Sequence, residues 1–344
     1  MSLGVKIIKI RKTLDDVAKL AKVSPITVSR ALRKPDVVSP ELRRRIDAAV
    51  HQLAYVPNLA ASRLASPHSH AIGVIVPTLY NIIFAEYLQA LHEVFLNSGF
   101  QVVVVNSRYS LHEEEQAIRT LLGQRVEAII IVGVSHTPLA RRLLQQSKVP
   151  VIETFELTDD PIDTNIGLSQ SQAGYDATKF LISLGHKNIG FASGHLDVRA
   201  TARLNGYRRA MTEANFAYDG LLFQIPRHSL IAVGSMIMEK LSDGGTIPEA
   251  LFCIDDNLAL GALMKCRQLG LSVPEDISIL GFHDLEFAAY ASPSLSTVAT
   301  NRYALGKLAA ETVVNMISGN ETTVNKQIDL GYEIVARQST RGAS

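Results

Sequence analysis

The chain has 344 residues, enough for two or three globular units at roughly 100 to 200 residues per domain, and is 47% hydrophobic but only 19% charged. That balance excludes a peptide hormone, a disulfide mini-protein and a chain kept unfolded by its own charge. The longest apolar runs, such as 128–134, fall well short of the roughly 18 residues of a membrane helix, and residues 1–11 lack the apolar core of a signal peptide. A soluble protein of the cytoplasm is expected, with Cys253 and Cys266 packed as reduced thiols and no cofactor.

The net charge of +1 conceals an asymmetry. Up to Ser66 there are 13 Lys and Arg against 5 Asp and Glu, whereas the remainder carries 21 against 28. A small basic unit ahead of a mildly acidic body suits a phosphate-neutralising head on a separate sensing domain, although a merely solvated basic face has the same composition.

In chain order, Thr13 caps a predicted helix over 14–21, whose Leu14, Val17, Ala18 and Ala21 recur at helical spacing behind Asp15 and Asp16 in the first turn. Ser24-Pro25 starts a second helix to about residue 32, and Ser39-Pro40 a third with the stripe Leu42, Ile46, Ala49, Val50 and Leu53. Three short helices with a tight first turn describe a helix-turn-helix unit. On the second helix, Val28, Ala31 and Leu32 pack, leaving Ile26, Thr27, Ser29, Arg30 and Arg33 outward. These are base-edge and phosphate contact types: Arg30 for a guanine, Ile26 for a thymine methyl, and Thr27, Ser29 and the Ser24 cap for phosphates. A following segment, Tyr55-Val56-Pro57-Asn58 and then 59–65, is too short to be a stable helix alone. Ordered on DNA, it would place Leu64 as an apolar wedge in the minor groove.

From residue 70 the pattern changes to short, nearly all-apolar strands at 71–76, 101–105, 128–132, 149–152, 188–192, 250–254 and 277–281. Such strands are buried on both faces, as in parallel sheets, and helical stretches at 85–98, 112–124, 172–184, 202–214 and 258–269 alternate with them. The expected fold is a small all-α helix-turn-helix head on an α/β body of two lobes, each a doubly wound parallel sheet. Ligands in such sheets bind beyond the carboxyl ends of the strands, so the residues just after each strand are candidates. Among them Arg199 and Arg203 share a helix face and can fork onto one anion, though Arg203 equally suits a core carboxylate and Arg199 solvent. Phe84 suits an aromatic platform for a sugar face or a place in the core. Asp255-Asp256 has no histidine or further carboxylate at ligand spacing, so metal chemistry is not expected, and Asp256 is a candidate cap for the helix that follows. No nucleophile elbow, phosphate-cradling glycine loop or kinase signature appears, which argues against an enzyme.

Thr13-Leu14-Asp15-Asp16-Val17-Ala18, Val23-Ser24-Pro25-Ile26-Thr27-Val28-Ser29-Arg30-Ala31-Leu32 and Tyr55-Val56-Pro57-Asn58 with Leu64-Ala65 together resemble the head and hinge of LacI/GalR regulators, and the similarity spans essentially the whole chain. The resemblance implies a head over 12–56, a hinge and linker over 57–69 and a periplasmic-binding-protein-like body over 70–344. Within that body it implies an N-lobe of about 70–167 and 300–327, a C-lobe of about 168–298 and 329–344, and crossovers near 166–169, 298–301 and 327–329. It also implies a cytoplasmic homodimer on a pseudo-palindromic operator, contacted through Thr13, Ser24, Pro25, Ile26, Thr27, Ser29, Arg30, Arg33, Tyr55, Asn58, Ala61 and Leu64. Its implied effector site comprises Asn81, Phe84, His136, Phe155, Arg199, Arg203, Asp255, Asp256 and His283. His136-Thr137-Pro138, and His283 where many relatives have an aspartate, resemble the gluconate-repressor branch and imply an aldonic acid. Asp284, where that branch more often has glycine, and Ser169, where an aspartate is common, depart from it. A neutral or phosphorylated sugar, and a sugar-binding protein without DNA regulation, stand as alternatives. A carboxylate beside His283 would raise the imidazole's proton affinity, so proton uptake on binding is expected.

Overall fold

The computed structural model describes residues 12–33, 35–56, 69–226, 230–244, 246–320 and 327–342, and the chain forms two compact units, Met1–Ser69 and His70–Ser344. The first contains α1 (Leu14–Ala21), α2 (Pro25–Arg33), a 3-10 turn (Pro35–Val37) and α3 (Pro40–Leu53). A capping box starts α1: Asp16 N–H donates to Thr13 Oγ1 at 3.3 Å while Thr13 N–H donates to the Asp16 carboxylate at 2.8 Å. Lys22, in the left-handed region at φ 53°, ends that helix and forces the turn. Ser39 accepts from Leu42 N–H and Pro40 opens α3. Val17, Ala18, Ala21, Val28, Ala31, Ile46, Ala49 and Tyr55 fill the small core. Arg45 Nη2 donates to the carbonyl of Ala21 at 2.7 Å, tying α3 to the open end of α1.

In the second unit, the N-lobe runs through β1 (Ala71–Val76), α4 (Ile83–Asn97), β2 (Gln101–Asn106), α5 (Leu111–Gly123), β3 (Ala128–Val132), α6 (Pro138–Ser147), β4 (Val151–Thr154) and β5 (Thr164–Gly167). The chain then builds the C-lobe from α7 (Gln170–Ser183), β6 (Ile189–Ser193), α8 (Val198–Glu213), β7 (Leu222–Gln224), α9 (Leu230–Ser242), β8 (Ala250–Cys253), α10 (Asp256–Leu269), β9 (Ser278–His283), α11 (Glu286–Tyr290) and β10 (Ser296–Ala299). It returns to the N-lobe with α12 (Arg302–Ser318) and β11 (Gln327–Asp329), and ends in the C-lobe with β12 (Glu333–Val335).

The N-lobe sheet has the order β11-β5-β4-β3-β1-β2, and the C-lobe sheet the order β12-β10-β9-β8-β6-β7. Pairing is parallel except between β10 and β12. Helices cover both faces, so β1, β3, β4, β6, β8 and β9 are buried along their whole length, and β1, β3 and β8 carry uninterrupted apolar runs. The order reversal around β1 in one sheet and β6 in the other makes each lobe doubly wound, and the carboxyl ends of the strands face the cleft between lobes.

Three segments join the lobes. Gln327–Asp329, where the sequence suggested the third crossover, instead pairs parallel with β5, Ile328 lying opposite Ile166, so the passage between lobes falls at 330–332. In the C-lobe, α7 and α8 touch backbone to backbone: a Cβ on Gly174 would fall on the main chain of Arg203, and one on Gly206 on that of Ser171 and Tyr175. Glycine at both positions is what lets the two helices approach so closely. Cys253 and Cys266 are buried free thiols. Among the described residues no helix is long and apolar enough to cross a membrane, and no cluster of metal-ligating side chains occurs.

Candidate nucleic-acid interface and ligand cleft

On α2, Pro25, Ile26 and Arg30 are exposed, and Ile26 is 70% exposed although apolar. An isolated exposed isoleucine flanked by a guanidinium suits a thymine methyl beside a base edge. Ser24 and Thr27 first satisfy each other: their hydroxyls lie 2.8 Å apart, and Thr27 N–H donates to Ser24 Oγ at 3.2 Å. Thr13, in its capping box, is exposed as well, while Ser29 is half-buried. Tyr55 corrects the sequence reading, because it is buried in the head core beside Ile46 and Ala49 and is withdrawn from any outward face. Asn58, Ala61 and Leu64, and the side chain of Arg33, lie outside the described residues.

The cleft in the body draws on the ends of several strands. From the N-lobe come Asn81, after β1, and Phe155 and Glu156, after β4, with Phe84 at the start of α4. From the C-lobe come Asp197, Arg199 and Arg203 around the start of α8, Asp255 after β8, and His283 at the end of β9. Asp197 caps α8 by accepting from Ala200 N–H at 2.8 Å, and the same carboxylate accepts from Arg199 Nη2 at 2.9 Å. Arg199 also sits 4.0 Å from Glu156 Oε1 across the cleft, with its guanidinium 5.7 Å from the Phe84 ring centre and 5.8 Å from that of Phe155. Arg203 Nη1 donates to Gln170 Oε1 at 3.0 Å, and its guanidinium stacks 4.3 Å over Phe282, leaving its buried Nε–H without a partner. The two arginines therefore share a face, each already held by the protein.

Further contacts cross the cleft. Asn81 Nδ2 donates to Asp255 at 3.3 Å, and the Tyr109 and His195 rings lie 6.5 Å apart. Phe155 at φ 75° and His283 at φ 106° hold strained backbone on opposite lobes, and Arg302 donates to the His283 carbonyl. Strain of this kind concentrates where a side chain must be aimed at a ligand. A small cavity of about 20 Å³ lies against all three lobe-joining segments and is lined by Phe155, Gln170, His283, Thr300, Asn301 and Arg302.

Three expected site residues are placed otherwise. Both ring nitrogens of His136 are engaged inside the N-lobe, Nδ1 with Glu114 at 2.6 Å and Nε2 with Glu153 at 3.1 Å, and its side chain is 1% exposed. No nitrogen remains for a ligand. Burial lowers its proton affinity, but the two carboxylates outweigh that and raise the pKa to about 9. Asp256 is not the cap of α10. Asp255 is, accepting from Asn257 N–H at 2.7 Å, while Asp256 turns into the C-lobe and accepts from Leu285 N–H at 2.7 Å and from Thr297 Oγ1 at 2.6 Å. Burial lifts its carboxyl to about 8. His283 does border the cavity, but burial first, then Arg203, Arg302 and Arg199, push its imidazole well below the ordinary value, and Nδ1 lies 3.1 Å from Thr300 Oγ1. It is a neutral hydrogen-bonding group rather than a ready cation.

Residues 13–58 match the family described as bacterial regulatory proteins, lacI family, and residues 178–340 match a periplasmic binding protein-like domain. The chain is 37% identical over 330 residues to the HTH-type transcriptional regulator GntR of Pseudomonas aeruginosa, covering 96% of both proteins. The chain belongs to the lacI family of bacterial regulatory proteins. This lacI-family chain also superposes on the transcription regulator GntR of Chromobacterium violaceum, with a TM-score of 0.75 at 37% identity over 79% of this chain and 100% of that one. It superposes on a lac repressor dimer bound to operator and the anti-inducer ONPF, with a TM-score of 0.79 at 27% identity over 96% and 99% of the two chains. It is a DNA-binding transcriptional regulator with a helix-turn-helix head and a two-sheet α/β body, and binding of a sugar-like molecule is consistent with that body. Sequence reasoning placed Glu156 and Asp197 within the segments 153–156 and 193–203 that follow strands, but assigned neither a role in this lacI-family regulator. The signal for Asp197 was present, an aspartate directly before a helix whose first turn carries an arginine.

Proposed function

We propose that this regulator is a homodimeric repressor of the cytoplasm, acting by binding rather than by turnover, whose operator affinity is set by a sugar acid of the aldonic class held in the cleft. The observation that carries the effector reading is the pair Arg199 and Arg203, buried on one face of α8, the first beside the Phe84 and Phe155 rings and the second over Phe282. Aromatic faces suit the apolar side of a sugar chain, and guanidiniums suit its carboxylate and hydroxyls. The sequence's resemblance to the gluconate-repressor branch supports the same chemical class, and the operator-bound lac repressor dimer supports two-fold assembly. Effector-driven movement of the N-lobes in such a dimer would couple the cleft to DNA, and the coupling is reciprocal.

The test pairs ligand and DNA. A thermal-shift screen of gluconate, related aldonic acids, the neutral aldoses and their phosphates should single out the acids, and operator selection with and without the hit should then show a change in affinity. Equal stabilisation by the matching neutral aldose overturns the sugar-acid reading. On the DNA side, Arg30→Ala should relax preference at one base position at a cost of about 1 to 3 kcal/mol, and a uniform loss across all sequences would count against guanine readout.

A further inference from the structure

The cleft presents two guanidiniums, Arg199 and Arg203, to three carboxyl groups, Asp197, Asp255 and Glu156. A fourth carboxylate brought in by a ligand meets an unfavourable count, because buried like charges disfavour one another's ionised forms. One resident carboxyl must then become neutral or move away. Asp197 is committed twice over, to Ala200 N–H and to Arg199, and its pKa is lowered despite burial. Asp255 accepts from Asn257 N–H and Nδ2, both at 2.7 Å, and from Asn81. The Glu156 carboxyl accepts no hydrogen bond from any described residue, and its ionic partner among them is Arg199 at 4.0 Å.

We propose that Glu156 sets the charge selectivity of the cleft: it counters Arg199 itself, and yields that position by taking a proton from solvent when a carboxylate-bearing effector arrives. This rests on the sugar-acid reading above and names the residue that makes it electrostatically possible. The groups facing Glu156 bear the assignment out. On its own segment β5 packs close, since a Cβ on Gly167 would strike the Glu156 main chain, and Asn165 Nδ2 donates to the Glu156 carbonyl at 2.7 Å. After β3, Gly133 leaves open space beside Oε1, and the His136 cation, hydrogen-bonded to Glu114 and Glu153, makes the smallest contribution holding the Glu156 carboxyl down. From the C-lobe, Arg199 and Arg203 oppose Asp197. Burial raises the carboxyls of both Glu156 and Asp255, with the arginines only partly offsetting it, but Asp255 is held by Asn257 and Asn81 whereas the Glu156 carboxyl accepts no hydrogen bond from any described residue, so Glu156 is the one free to take a proton and move. His283, the other candidate proton carrier, faces three arginines and is held neutral.

A neutral aldose requires no such exchange, whereas an acid does. The test is calorimetry of gluconate binding to the full chain between pH 6 and 8, in buffers of different ionisation enthalpy, for the wild type, Glu156→Gln and His283→Gln, each checked for native thermal unfolding. The wild type should take up close to one proton at the alkaline end and tighten by up to about tenfold per pH unit on acidification. Glu156→Gln should bind with little uptake, a flat pH profile and higher affinity than wild type at pH 8, while His283→Gln keeps the uptake. Undiminished uptake in Glu156→Gln, or weaker binding by that variant at every pH, would overturn the proposal while leaving the sugar-acid effector standing. If no aldonic acid binds the wild type, the effector reading falls first and this inference falls with it.

Discussion

Two clusters of buried charge lie on either side of β4, and they differ in how completely they are satisfied. In the N-lobe interior, His136 bridges Glu114 and Glu153, Thr137 Oγ1 donates to Glu115 at 2.6 Å, and Ile162 N–H donates to the second oxygen of Glu153 at 2.7 Å. Every ring nitrogen and carboxylate in that triad has a protein partner. A few residues along, the cleft cluster leaves, among the described residues, a carboxyl without a hydrogen bond at Glu156 and a buried Nε–H without a partner at Arg203. A closed cluster holds a lobe together, and an open one has valence left for a ligand.

The largest expected effect breaks the closed cluster. His136→Ala leaves two buried carboxylates facing each other and should destabilise the protein by about 3 to 5 kcal/mol in denaturant unfolding, with the remaining folded fraction still binding effector. Next comes the open cluster: Arg203→Ala should weaken effector binding by about 1.5 to 3 kcal/mol in calorimetry, with a smaller loss of stability than His136→Ala. Loss of folding without loss of affinity in the folded fraction would reverse the roles assigned to the two sites.

Titration sharpens the contrast. The folded-state pKa of His136, raised to about 9, means its stabilisation is fully present below about 6.5 and is lost as pH rises through 9, so the midpoint of urea unfolding should fall across that window and the slope should vanish in His136→Gln. The smallest effect is expected at Asp256. Its carboxyl, lifted to about 8, keeps a proton that the unfolded chain releases near pH 4, so it lowers stability as pH climbs from about 4 to 8. Asp256→Asn should remove that slope and cost under about 1 kcal/mol at neutral pH, because an amide can still accept from Leu285 N–H.

How legible each part was in the sequence follows from the reach of its interactions. The head was readable because Thr13, Ser24 and Ser39 act on residues three or so positions ahead, and the strands because continuous apolar runs such as Ala128–Val132 are their own signal. Other elements carried weaker marks. β5, Thr164–Gly167, reads as polar because Asn165 spends its amide on the carbonyls of Glu153 and Glu156. α12 is buried against α4 and β4, and no narrow stripe singled it out. His136 was misread because its partners stand 17 and 22 residues away and meet it only once β3, β4 and α5 assemble. Asp255 and Asp256 exchanged roles because neighbouring side chains at a strand end point oppositely, and the sequence does not say which one turns inward.

The glycine contact between α7 and α8 has a mechanical consequence. With Gly174 against the main chain of Arg203 and Gly206 against that of Ser171, the arginine-bearing helix is keyed to the helix that begins directly after the first lobe-joining segment. It has no freedom to slide alone. A ligand pulling on Arg203 thus loads Gln170, the first residue of α7, through their hydrogen bond, and the two helices answer as one lever at the edge of the lobe-joining segment.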